Sequence, residues 1–361
     1  MKGPLVRRAA WLAAGLVLLT ASPALAHALD GAAPSNYRTR ILDVEPEKPG
    51  IVVEVVEAGN RLSLTNDTPD EVVVIGYRKE PYLRVGPHGV FENLRSPATY
   101  RNRSRLPTAE VPAKASNDPT TPPEWKKVSA GSSARWHDHR VHWMGLQPPG
   151  PVRAEPGQEH VIIPAWEVPL RVGPDEILIK GDLAWIPGPS KLPWLGLAAA
   201  AGLALAGLAL GPGAKRHRLA QTALIVALAA VVVLDVARLA GLAGDVGSSL
   251  GRAAGQNLQA VAGWVTAVAA AALLLRGEAR IGPALAAGAG VLFALGALGD
   301  LDVLSRSQVP TDAPVWLPRL SVATGLGLGL GLLVVAFAPF LVPPAPASVP
   351  AAEPRRPVRA D

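Results

Sequence analysis

The chain has 361 residues, no cysteine and a formal net charge of +6. Without cysteine there is no disulfide, no thiolate metal site and no covalent c-type haem, so an exported domain must rely on its apolar core, and any metal on His, Asp, Glu or Met. The surplus of Lys and Arg is spread along the chain and gathers at the edges of apolar segments, which excludes a nucleic-acid footprint and points to membrane topology.

Residues 1–26 read as a secretory signal. Lys2, Arg7 and Arg8 form a charged start, and Ala9 to Leu19 is an apolar run too short to span a bilayer. Ala24-Leu25-Ala26 is a small-x-small cleavage site. Cleavage there leaves His27 as the first mature residue, with a free α-amino group. The alternative is an uncleaved anchor, which the later apolar helices make redundant.

Residues 27–190 read as an exported β domain. The runs Ile51–Val56, Arg61–Thr65, Glu71–Tyr77, His160–Ile163 and Glu176–Ile179 are short, β-branched or alternating, and are punctuated by Gly, Pro, Asn and Asp. About seven strands in this length predict an antiparallel sandwich, immunoglobulin-like in the broad sense. Ser96 to Pro123, rich in Pro, Ser, Asn and Arg, is predicted to be a long loop.

The composition changes near Pro193. Residues 191–343 read as an all-α transmembrane bundle of about five helices. They are predicted over Leu192–Leu210, Leu219–Leu239, Leu258–Leu275, Pro283–Leu298 and Trp316–Val342. With the β domain outside, the inner loops hold Lys215, Arg216 and Arg218, then Arg276 and Arg280. The tail, residues 344–361, is read as disordered and cytoplasmic and holds Arg355, Arg356 and Arg359. The outer loops hold fewer, namely Arg252, Arg306 and Arg319. The expectation is a multi-pass cell-membrane protein with its N-terminal domain outside and its C-terminus in the cytoplasm. Trp185, Trp194 and Trp316 fall near the expected outer interface.

The predicted helices contain no histidine, so the bundle is not expected to carry haem or copper by itself. Asp235 and Arg238 lie three apart and can pair on one helix face. They are either a functional intramembrane charge or an outer-end ion pair that snorkels to the interface. Asp300 and Asp302, at the outer end of the fourth predicted helix, could face the β domain or a cation path, or simply be solvated in a loop. Gly207-x-x-x-Gly211 and Gly325-x-Gly327-x-Gly329-x-Gly331 offer small surfaces for packing within the bundle or, less readily, between copies. Gly247-x-Ser249-x-Gly251 has the letters of a hydrolase elbow but not the strand–helix setting.

The segment Trp136-His137-Asp138-His139-Arg140-Val141-His142-Trp143-Met144 carries the strongest chemical signal, with three of the seven histidines. Flanking glycines and prolines leave room for one short element, most easily a strand. A regular strand would put His137 and His139 on one face and Asp138, Arg140 and His142 on the other. Either the chain bulges after Arg140, or His137 and His139 take ligands from elsewhere, such as His27. Such nitrogen donors suit Cu(II), Met144 would suit Cu(I), and zinc would accept three nitrogens and a water. Asp138 could ligate or orient an imidazole. Against this, Arg135 and Arg140 oppose a cation. The alternative reading pairs Asp138 with Arg140, hydrogen-bonds the histidines to loops and puts both tryptophans in the core. His88 and His160 stand alone, as ordinary surface or core.

Pro34 to Arg40, Glu80-Pro81-Tyr82-Leu83-Arg84 and Trp136 to Met144 resemble an uncharacterised family of exported actinobacterial membrane proteins, over nearly the whole chain; no activity comes with that resemblance. The architecture also resembles the copper-resistance group, in which a CopC-type β-sandwich is fused to a CopD-type bundle. That resemblance implies a Cu(II) site built from the mature N-terminal histidine, here His27, and a later Asp-x-His. In this chain Asp138 and His139 are adjacent instead, and the histidines of a CopD-type bundle are missing.

Two functions follow as expectations. One is extracytoplasmic metal binding for copper sequestration, uptake or delivery to another envelope metalloprotein. Its ligands would be His27, His137 and His139, with Asp138 and His142 as alternates, and zinc as the alternative metal. The other is an envelope scaffold or assembly factor whose β domain binds a protein partner and uses the histidines structurally. An enzyme is the weaker class, because nothing defines a substrate groove. The lipid bilayer is the one partner expected in either case, and nucleic acid is not expected.

Overall fold

The computed structural model describes residues 32–103, 110–210, 214–278 and 281–341. The expected signal segment, His27 and the C-terminal tail lie outside the described residues.

Ten strands form the N-terminal half: β1 (Tyr37–Glu45), β2 (Ile51–Val56), β3 (Arg61–Asn66), β4 (Val72–Ile75), β5 (Pro81–Gly86), β6 (Gly89–Asn93), β7 (Trp125–Ser129), β8 (Ser133–Trp136), β9 (His160–Val172) and β10 (Asp175–Trp185). One antiparallel sheet has the order β1-β10-β9-β4-β5-β6-β7, and the other β2-β3-β8. Each predicted run falls on a strand, but β9 and β10 extend well past theirs. They form one hairpin whose two-residue turn has Gly173 at φ +58, a conformation that glycine adopts without a Cβ clash. Pro164 interrupts β9 where the register with β10 slips, so its missing N–H costs no ladder bond there.

Both sheets turn apolar side chains onto one core. Leu62, Leu64 and Trp136 come from the small sheet, and Val74, Leu170, Ile177 and Ile179 from the large one. The alternation Leu62/Leu64 and Ile177/Ile179 is the two-residue period of a half-buried strand. Each fully buried Leu or Ile here contributes on the order of 1.5–3 kcal/mol. The predicted long loop is tied down at its start by a short helix, α1 (Ala98–Arg101), where Thr99 Oγ1 donates to the Asn93 carbonyl (2.6 Å) and Ser96 Oγ to Glu80 Oε1 (2.8 Å). A second short helix, α2 (Gly150–Ala154), precedes β9.

The C-terminal half is helical: α3 (Leu192–Leu210), α4 (Ala214–Asp245), α5 (Leu250–Gln256), α6 (Leu258–Leu275), α7 (Ile281–Gly299) and α8 (Trp316–Leu341). Among the described residues four helices are long and apolar enough to cross a membrane, over Arg218–Asp245, Leu258–Leu275, Ile281–Gly299 and Trp316–Val335. α4 runs past both ends of its predicted span, and α5 was not expected. Ser249 is the N-cap of α5, accepting from the Arg252 N–H (3.3 Å), which gives the elbow-like letters a capping role.

The glycines of α8 serve packing within the bundle. A Cβ on Gly327 would stand 2.1 Å from the Ala198 carbonyl of α3, and one on Gly329 would stand 2.7 Å from the Gly290 carbonyl of α7. Alternate glycines thus admit α3 on one side and α7 on the other.

The two halves are joined by hydrogen bonds at Ser35 and Asn36. Ser35 and Gln308 exchange backbone bonds (2.9 Å each), and Asn36 Oδ1 accepts from the Ser307 N–H (2.9 Å). Ser307 Oγ donates to the Ile186 carbonyl (2.9 Å). Arg135 Nη1 donates to the Asp245 carbonyl (2.7 Å) at the end of α4, where the helix dipole favours a cation. Trp185 packs edge-on to Tyr37 in the β domain (centroids 5.2 Å apart), with Nε1 donating to the Pro156 carbonyl.

Candidate functional site

The histidine segment is not a strand. β8 ends at Trp136, and a 3₁₀ turn follows over His139–Val141. The cause is Asp138, whose Oδ1 accepts from the Arg140 N–H (3.1 Å) and caps the turn. Asp138 is fully buried, so its charge must be compensated. Arg140 supplies that with Nε to Oδ1 (2.9 Å) and Nη2 to Oδ2 (2.7 Å), and Trp136 Nε1 donates to Oδ2 (3.1 Å). Arg140 Nη2 also reaches the Ile75 carbonyl (3.0 Å).

The turn overrides the expected division of faces. His137 and His142, assigned by strand geometry to opposite faces, stack with centroids 4.2 Å apart and an interplanar angle of 9°. The His139 ring stands edge-on to His137 at 5.3 Å. The departure from strand geometry comes before Arg140, not after it, because the cap at Asp138 bends the chain first.

Two of the rings share one acceptor. His137 Nδ1 lies 2.8 Å and His142 Nε2 3.0 Å from the Asn60 carbonyl, so each must carry its proton there. Asn60 is delivered by a left-handed turn, with Glu57, Ala58 and Gly59 at φ +57, +51 and +93. The Glu57 side chain is buried, within 3.4 Å of Arg61 and 3.8 Å of Arg135. Arg135 and Arg140, which opposed a cation on sequence grounds, are thus each paired with a carboxylate. The His139 N–H donates to Tyr77 Oη (2.9 Å), and Tyr77 Oη donates to Asn102 Oδ1. Burial first, and then the charge of Asp138, pushes the Tyr77 phenol well above its ordinary range, so it remains a protonated donor.

The structure therefore brings His137, His139 and His142 together and separates Asp138 from them in role. Both Asp138 oxygens already accept hydrogen bonds from Arg140 and Trp136, so it anchors the turn. His27 lies outside the described residues. Among the described residues no three His, Asp or Glu side chains are gathered in a metal-ligating arrangement. A copper or zinc ion would need one stacked ring to turn, or donors from outside those residues. His88 is exposed, and His160 Nε2 is 2.8 Å from the Glu155 carbonyl.

A second charged constellation lies in the helical half. Arg238 Nη2 is 2.9 Å from Asp235 Oδ1, and its Nη1 is 2.8 Å from Asp300 Oδ2. Trp264 Nε1 of α6 donates to Asp235 Oδ2 (2.8 Å). The side chains of Asp235 and Arg238 are each 14% exposed, and that of Asp300 20%. The Asp235–Arg238 pair is part of a largely buried cluster to which Asp300 also belongs. Asp302 is exposed and paired with Arg306 at 3.4 Å. A pocket opens beside the cluster, lined also by Asn257, Gln259, Phe293, Ser321 and Gly325. The spacing of Asp235 and Arg238 signalled their pair. Trp264, Gln259 and Ser321 gave no sequence signal, because they come from other helices.

Comparison with protein-family models, with curated proteins and with solved structures finds no match to this chain.

Proposed function

We propose that this chain is a multi-pass cell-membrane protein whose exported β domain, an immunoglobulin-like sandwich in the broad sense, stands on five membrane helices and serves as an envelope scaffold or assembly factor for a protein partner. The carrying observation is the commitment of the histidine turn to the fold. Asp138 is consumed by Arg140 and Trp136, and the His137 and His142 rings converge on the Asn60 carbonyl. The bonds from Ser35 and Asn36 to Ser307 and Gln308 support the same reading, because a scaffold needs its domain held at a set angle. The test is His137→Ala plus His142→Ala in the full chain, melted with added Cu(II), with added Zn(II) and with a chelator. A scaffold predicts a loss of roughly 1–3 kcal/mol, the same in all three conditions. Wild-type stabilisation by micromolar Cu(II) that the double variant lacks would sink the scaffold reading.

One observation favours the second reading, copper handling. Three imidazoles share one turn, and a backbone carbonyl orients two of them, as outer-shell partners orient metal-ligating histidines. His27 would add an amine and a ring. Cu(II) EPR on the full chain, with a native His27 start and with one residue added before it, separates the cases. Nitrogen-rich signals that change on extension support the copper site; absence of a stoichiometric signal rejects a Cu(II) site.

A further inference from the structure

The cluster in the helical half carries one charge too many. Asp235 and Asp300 are two carboxylates, and Arg238 is one cation. The groups facing the pocket from α4 are Asp235 and Arg238, and Asp300 faces it from the end of α7; α6 and α8 contribute no charged residue to its lining. The sum is −1, inside a bundle read here as spanning a membrane. An uncompensated charge there is costly, so an ion pair built for packing alone would not hold a third charge.

The oxygens left over belong to residues that line the pocket. Asp235 has both oxygens occupied, by Arg238 and by Trp264. Asp300 gives only Oδ2 to Arg238, and its Oδ1 has no hydrogen bond among the described residues. Gln259, which lines the pocket, donates through Nε2 to the Leu292 carbonyl (2.9 Å), and that bond does not use its amide oxygen. Ser321 is 5% exposed and lines the same pocket, and its hydroxyl has no hydrogen bond among the described residues. A serine in an apolar helix ordinarily bonds back to a preceding carbonyl, as Thr324 Oγ1 does to Leu320 (2.8 Å).

We propose that this pocket binds one monovalent cation, a proton or an alkali ion, on Asp300 with the Ser321 hydroxyl and the Gln259 amide oxygen beside it. Hard cations take oxygen donors, and a single positive charge makes the cluster neutral. Arg238 fixes Asp300 from one side, and Trp264 fixes Asp235 so that it does not compete. The inference rests on the membrane placement of the helices and is independent of what the β domain does.

The experiment is thermal melting of the full chain in lipid nanodiscs. NaCl replaces choline chloride at constant ionic strength, over about pH 5 to 8. The variants are Asp300→Asn and Ser321→Ala. An alkali-ion site predicts a sodium-dependent rise in Tm of at least about 3 °C in the wild type, absent in Asp300→Asn and weakened in Ser321→Ala. A proton site predicts no sodium effect and a one-proton step in Tm against pH, absent in Asp300→Asn and displaced in Ser321→Ala. If Asp300→Asn does not fold, Ser321→Ala decides, because it leaves every ion pair in place. A wild type indifferent to both sodium and pH, or a Ser321→Ala chain that responds as the wild type does, overturns the proposal.

Discussion

The histidine turn and the helical cluster are built around the same trio. In the β domain, Asp138 accepts from Trp136 and pairs with Arg140; in the bundle, Asp235 accepts from Trp264 and pairs with Arg238. The first trio is neutral, with a fully buried carboxylate, and all its members lie within five residues of one another. The second recruits Asp300, carries net −1 and borders a pocket. The same chemistry acts as a staple where charges balance and the core closes over it. It becomes a candidate site where one charge is left over and space adjoins it.

The sharpest break in that comparison comes from Asp138→Ala. It leaves the Arg140 guanidinium without its carboxylate and removes the cap of the turn, at an expected cost of about 3–5 kcal/mol. Chemical denaturation of the full chain, followed at the β-domain signal, measures it; a loss below about 1 kcal/mol would reduce the staple to an ordinary surface pair. Asp235→Ala should cost less, about 1–3 kcal/mol, because Arg238 keeps Asp300. Its partner experiment is Asp235→Ala with Asp300→Ala, which strips Arg238 of both carboxylates and should exceed the sum of the single losses. Additive losses in detergent melts would mean that the three groups do not act as one unit.

A smaller effect is expected where the staple meets its carbonyl. Gly59→Ala forces a Cβ onto a residue at φ +93, next to Asn60, and should cost about 1 kcal/mol. Backbone amide chemical shifts around His137 and His142 should move with it, and unmoved shifts would separate the turn from the rings. The mildest test uses a more exposed pair as reference. The hydrogen bond from Arg40, which outweighs the opposing effect of burial, holds the Asp182 carboxyl below its ordinary 3.8. A depressed folded-state value means that the pair's stabilisation is complete above the ordinary carboxylate range. It is lost as the pH falls from about 4 through the lower folded value. Asp182→Asn should flatten that acid limb of a stability–pH curve; an unchanged limb would assign it to other carboxylates.

Much of the chain was legible from local pattern. The β-branched runs marked five strands, and the apolar lengths marked the long helices, because strand alternation and helix length are properties of neighbouring residues. The letters around Ser249 belong to the cap of a short helix. The strands β1 and β5 to β8 were not marked, since their burial depends on which face the opposite sheet covers. The turn at Asp138 was missed although its letters were visible: Asp followed two residues later by Arg permits a cap, but a strand was equally consistent until the burial of Asp138 forced compensation.

The sequence alone determined the division at Pro193 into a β-rich half and an apolar helical half, and the presence of three imidazoles and two candidate intramembrane charges. These depend on composition and on spacings of a few residues. Only the tertiary structure decided what those groups touch. Asn60 reaches His137 from 77 residues away, Asp300 reaches Arg238 from another helix, and Asn36 meets Ser307 across 271 residues. Hydrogen bonds and ion pairs act over about 3 Å in space, so a role that depends on them is set by the fold that brings distant residues together.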